Sequence, residues 1–174
     1  PIADRLEALM AAEKGKRVIC YAPNVRPSLI TDDAAFRARV ERMAAMADIV
    51  KISGADLEWL YPGVPVEETA KRWRAAGAGL VVVTRGGKGV IAFGEEGSIE
   101  RPIVPVEIAD TVGAGDSFTG GLLARLSELG YLKTGAIRAT PLASLKEALD
   151  FANRVAAITC SRPGADPPWR RELA

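Results

Sequence analysis

Asp110-Thr111-Val112-Gly113-Ala114-Gly115-Asp116-Ser117-Phe118-Thr119-Gly120-Gly121 sets small residues and one carboxylate where an irregular segment gives way to a helix. The helix is signalled by the apolar spacing of Phe118, Leu122, Leu123 and Leu126. Gly113, Ala114 and Gly115 let a ligand approach the backbone closely, and the first N–H groups of a helix have no internal acceptor. Together with the helix dipole, these features make the turn an anion site suited to a phosphate. Asp116 falls in the first turn, where the dipole favours the ionised carboxylate, so it can take a proton from a substrate hydroxyl beside that phosphate.

Two better-known glycine motifs are excluded. A dinucleotide fingerprint requires a third glycine where Phe118 stands, and a Walker A loop requires Lys-Ser or Lys-Thr after its last glycine. The nearest approach to the latter, Gly86-Gly87-Lys88, continues into Gly89. A tight turn alone would need neither Asp110 nor Asp116.

Residues 110–121 closely resemble the C-terminal signature of the ribokinase-like (pfkB) carbohydrate kinases. The resemblance runs over residues 17–169. It takes in Pro23-Asn24-Val25-Arg26-Pro27, Thr84-Arg85-Gly86-Gly87-Lys88-Gly89 and Ser161-Arg162-Pro163-Gly164-Ala165, whose wording is most similar to the fructokinase branch.

Composition agrees with one globular α/β domain. The 174 residues are 48% hydrophobic and 26% charged, with a formal net charge of +1. No basic run is interleaved with aromatics, so no nucleic-acid partner is indicated. No apolar run is long enough to span a membrane and the start carries no signal-peptide pattern, so a cytoplasmic location is expected. The chain has no histidine, which removes Ser-His-Asp and Cys-His chemistry and most zinc sites. Cys20 and Cys160 lie in separate apolar segments and read as reduced thiols. Carboxylates and phosphate loops remain, which is the equipment of phosphoryl transfer.

The periodicity predicts helices over residues 3–13, 33–47, 55–61, 66–76, 114–129 and 144–159. Strands are predicted over 17–21, 49–52 and 80–84, and residues 90–93 and 99–104 read as a hairpin around Glu95-Glu96-Gly97-Ser98. The fold class is α/β, a mostly parallel sheet flanked by helices, as in the C-terminal part of the ribokinase-like fold. Ligands of such sheets gather at the carboxyl ends of the strands, where the loops after Tyr21, Ile52 and Thr84 lie.

The resemblance implies an ATP-dependent sugar kinase using Mg²⁺, with Asp116 as the base and Gly113, Ala114 and Gly115 stabilising developing charge. It implies ATP contacts at Thr84, Gly86, Gly89 and Asn153. Substrate contacts are implied at Asn24 and Arg26, the latter a guanidinium on a tether stiffened by two prolines. A monovalent cation such as K⁺ is implied at Asp110 with the main chain of Val112, Thr159, Arg162 and Gly164. Asp110 also fits a second role, bracing the anion loop. Asp56 is an outer-shell magnesium candidate, although Ser53 and Asp56 equally fit a helix cap.

Three positions depart from the family pattern. Ala22 stands where relatives often carry aspartate, Ser53-Gly54-Ala55-Asp56 stands where they carry Asn-x-x-Glu, and Pro168 stands where some supply serine. Fructose is the expected acceptor; a 2-keto-3-deoxygluconate kinase and a non-catalytic nucleotide-binding remnant are the alternatives. The chain reads as the nucleotide-binding side of such a kinase, without the N-terminal sugar-binding and lid half through which the whole protein is expected to form a homodimer. Alone, the 174 residues are expected to bind adenine nucleotide weakly and to phosphorylate no sugar.

Overall fold

The β-branched runs Ile49–Ser53 (β2) and Leu80–Thr84 (β3) are buried on both faces and pair in parallel at the centre of a five-stranded sheet. The computed structural model describes residues 2–173. Cys20–Tyr21 (β1) extends the parallel set beside β2. Val90–Gly94 (β4) and Gly97–Arg101 (β5) continue it antiparallel beyond β3, giving the order β1-β2-β3-β4-β5.

Side chains alternate across the sheet, and each face has its own helical layer. Val50, Ile52, Val81 and Val83 pack against Asp33–Met46 (α2), Gly54–Leu60 (α3) and Val66–Ala76 (α4). Ile49, Leu80, Val82 and Val90 pack against Ala114–Glu128 (α5) and Leu142–Cys160 (α6). Ile2–Glu13 (α1) lies outside both layers, and its Glu7 and Asp4 pair with Arg42 and Arg39 of α2.

Two strands differ from their expected limits. The first is reduced to two residues because the Ile19 N–H donates to the Asp48 carboxylate at 2.8 Å rather than to a strand carbonyl. The second hairpin arm is displaced from residues 99–104. The turn is tighter than expected, with Gly94 paired to Gly97, and Pro102 follows the last residue of β5 with no N–H to give the ladder. The remaining predicted helices and strands lie within two residues of their expected ends.

On the first helical layer, the Glu41 carboxylate joins α2 to α4. It accepts from the fully buried Trp73 indole at 3.1 Å, from Arg72 at 2.9 Å and from the Tyr61 hydroxyl. Replacing Glu41 by Ala strands the Trp73 N–H in the core, and we expect a loss of about 1–3 kcal/mol in urea unfolding. Glu41→Gln, which keeps an acceptor oxygen, should lose less; equal losses in the two variants would show that the hydrogen bonds are not what Glu41 contributes.

Candidate active site

Helix α5 begins at the carboxyl end of the parallel strands because its approach loop is clamped from two sides. Asp110 Oδ1 accepts from the N–H groups of Thr111 at 2.7 Å and Val112 at 3.0 Å, while Oδ2 accepts from Gly164 N–H at 3.0 Å. These backbone donors hold the Asp110 carboxyl below its ordinary pKa, Val112 contributing most. Gly113 caps the helix at φ +76°, and a Cβ there would lie 2.7 Å from the Ala165 Cβ. Only glycine satisfies both conditions.

Beyond that cap, the N–H groups of Gly115 and Asp116 have no hydrogen-bond acceptor among the described residues. The Asp116 carboxylate is exposed and likewise makes no hydrogen bond or ion pair there. The turn thus offers unspent donors and an unpaired carboxylate side by side.

Two cavities meet at this turn. The larger, about 850 Å³, is lined by Ser53, Thr84, Gly86, Gly89, Ala114, Gly115, Asn153 and Ala156, among others. One wall is apolar, formed by Ile103, Val104, Val106 and Ile108 on the strap that follows β5. The smaller, about 530 Å³, is lined by Gly113, Asp116, Ser117, Phe151 and Thr159 and by the segment after α6. A nucleotide has room in the larger cavity, whose lining combines these apolar side chains with the glycine-rich backbone of residues 86–89.

The structure brings Thr84, Gly86, Gly89 and Asn153 to one cavity. Asn153 acts first on the protein, its Nδ2 donating to the Pro102 carbonyl at 2.8 Å and holding the strap in place. Gly89 has a structural need of its own, since a Cβ there would lie 2.2 Å from the Arg101 carbonyl oxygen. Ser53 caps α3 by accepting from Asp56 N–H at 3.0 Å and donates its own hydroxyl to the Asp56 carboxylate at 2.7 Å. The capping role is therefore realised, and the Asp56 carboxylate keeps acceptor capacity.

Asn24 and Arg26 line neither cavity. Buried Val25 anchors their loop, while Arg26 donates to the Asn24 side chain and, at 2.9 Å, to the Val25 carbonyl. The Arg162 side chain is held by Glu172 and Asp166. Cys20 and Cys160 are free thiols, and burial pushes the Cys20 thiol up to about 11.

Lys51 is the cavity residue that the sequence reading missed. It is 8% exposed, on the same face of β2 as Ile49, and lines the larger cavity. Its signal was legible: one cation interrupts the strand Ile49–Ser53, which is otherwise apolar up to its last residue, at a position that alternation assigns to the α5 side.

Among the described residues no group of three His, Cys, Asp or Glu side chains could hold a metal ion, and no helix is long and apolar enough to cross a membrane.

Comparison with known proteins gives a consistent result. A fructokinase from Rhizobium leguminosarum bv. trifolii is 41% identical over 126 residues, covering 72% of this chain and 39% of the relative. A solved fructokinase from Xylella fastidiosa with bound ATP superposes with a TM-score of 0.84 at 25% identity, covering 94% of this chain and 52% of that one. A fructokinase double mutant from Vibrio cholerae O395, with fructose, ADP and potassium ion bound, gives 0.75 at 30% identity, covering 91% and 49%. The chain spans about half the length of the curated relatives it matches. Residues 3–171 match the pfkB family carbohydrate kinase profile, and the chain belongs to that family.

Proposed function

We propose that this chain carries the nucleotide side and the catalytic base of an ATP-dependent kinase that phosphorylates a sugar hydroxyl, with fructose as the acceptor. The observation that carries this reading is the start of α5, where unpaired N–H groups and the free Asp116 carboxylate meet between two cavities. The similarity to fructokinases supports the choice of acceptor.

In the reaction, the acceptor hydroxyl gives its proton to Asp116 as its oxygen bonds to the γ-phosphorus. The bond from that phosphorus to the β–γ bridging oxygen breaks, and ADP departs with the electron pair. The donors at Gly115 and Asp116 face the charge that develops on the phosphoryl oxygens, and they need no reorientation to do so. A magnesium ion bound with the nucleotide would neutralise phosphate charge, and Asp56 with Ser53 would meet its water shell. For a monovalent cation, Asp110 Oδ2 retains acceptor capacity after accepting from Gly164 N–H, and the main-chain carbonyls of Val112, Thr159, Arg162 and Gly164 would complete the donor set.

Three measurements on the protein from the complete gene test this reading. Asp116→Asn keeps shape and polarity but removes the base, so turnover should fall about 100-fold or more with nucleotide affinity little changed. Near-normal turnover would remove Asp116 from that role.

Among fructose, ribose, adenosine and 2-keto-3-deoxygluconate, fructose should give the highest kcat/KM. A clear preference for the keto acid would instead make the Arg26 loop a carboxylate site. Finally, K⁺ should raise the rate saturably relative to tetramethylammonium at matched ionic strength, because ordering the carbonyls near Asp110 stiffens the anion loop. Identical rates would eliminate the cation site.

A further inference from the structure

Residues 103–108, on the strap between β5 and the anion turn, are fastened at both ends and free between them. At the entry, Glu100 is held by Arg85 at 2.7 Å, Arg101 by Asp150 at 2.5 Å, and the Pro102 carbonyl by Asn153 at 2.8 Å. At the exit, the N–H groups of Ala109 and Asp110 both donate to the Cys160 carbonyl, at 2.8 and 3.2 Å. Between these points no N–H or carbonyl takes part in a hydrogen bond among the described residues.

Two of these fastenings lie on one helix. Asn153 and Cys160 belong to α6, on one side of it and about 10 Å apart along its axis. The chain from Pro102 to Ala109 can reach about 23 Å when extended. It therefore does not lie taut against α6 but arches away from it. Ala156 and Ala157, between the fastenings, line the same cavity as Ile103, Val104, Val106 and Ile108 on the arch. The spare length of the arch thus stands over the larger cavity.

The composition of the arch is wrong for a plain connector. Its four β-branched apolar side chains are between 38% and 66% exposed, and Glu107 carries its one charge. Apolar groups exposed side by side mark a surface that is covered when a ligand is bound, and a segment without main-chain pairing opens at little cost.

We propose that residues 103–108 are a flap that closes onto the base of the bound nucleotide and, by ordering Ala109 and Asp110, strengthens phosphate binding at the start of α5. The identity of the ligand, a purine nucleoside triphosphate, rests on the kinase reading; the flap rests on the arch itself. Closure moves the four apolar side chains out of water, and no main-chain hydrogen bond has to break. Pro105, at the crown, limits the conformations that the open arch loses on closing. The exit of the arch runs directly into the carboxylate that clamps the anion turn. A ligand that orders the flap therefore spares a second ligand that cost, and the effect is reciprocal.

The test uses the protein from the complete gene, native and as the double variant Val104→Ser with Val106→Ser. In the native protein, amide hydrogen exchange at residues 103, 104 and 106–108 should be fast without ligand. A non-hydrolysable ATP analogue or adenosine should slow it about 10-fold or more, and pyrophosphate alone should not. In calorimetric titrations, adenosine should raise pyrophosphate affinity about 5-fold, with pyrophosphate raising adenosine affinity by the same factor. In the double variant that factor should fall towards one.

A rigid wall could be protected by the base, but without this coupling. Arch amides already protected in the free protein, exchange unchanged by the analogue, pyrophosphate affinity indifferent to adenosine, or full coupling in the double variant would each overturn the flap. The two readings fail separately. Sugar phosphorylation without the coupling refutes the flap and leaves the kinase, whereas protection and coupling without sugar phosphorylation keep the flap and refute the kinase.

Discussion

The Asp110 carboxylate fixes where helix α5 begins, and the rest of the candidate site follows from that start. It gathers N–H groups from Thr111 and Val112 ahead of α5 and from Gly164 beyond the end of α6. The chain before one helix is thus tied to the chain after another, and Gly113 is forced into contact with Ala165. Helices α5 and α6 are also pressed together lower down, where a Cβ on Gly121 would lie 3.1 Å from the Ala152 Cα. These close approaches hold the first turn of α5 against its neighbours, with its free donors at one place. Such preorganisation is what a site working through charge stabilisation requires.

Much of this was legible in the sequence for simple reasons. The anion turn is local, so its small residues, carboxylates and following apolar period are contiguous, and helix and strand limits came largely from spacing. The departures share a different cause, in that each depends on a partner distant in the chain. The first strand is cut short by Asp48, a side chain 29 positions from Ile19. Asn153 and Gly89, the implied ATP contacts, line the larger cavity, and each also has a structural partner that local spacing does not show: the Pro102 carbonyl 51 positions from Asn153, and the Arg101 carbonyl packed against Gly89.

The larger omission, Lys51, arose from reading β2 as a hydrophobic run rather than as two alternating faces. Alternation assigns Lys51 to the α5 face in company with Ile49, and one cation among apolar neighbours is the kind of buried polar residue that calls for a reason. Asn24 and Arg26, implied as substrate contacts by the resemblance, line neither of the two cavities, and Arg26 donates to the Asn24 side chain and the Val25 carbonyl of its own loop.

The disposition of cations around the site separates the groups that shape it from those free to act. Arg85 reaches Glu100 at 2.7 Å, and Arg162 is occupied by Glu172 and Asp166. Each guanidinium is spent on fixing a loop, a role suited to its planar set of donors. Lys88, at the cavity mouth, is exposed and its charge is screened by water. Lys51 is the one among these cations that is largely buried as a residue and forms no hydrogen bond or ion pair among the described residues. A single ammonium and a row of helix N–H groups therefore carry the positive field of the interior. Both belong to rigid elements, a central strand and the first turn of a clamped helix, so the field is set before a ligand arrives.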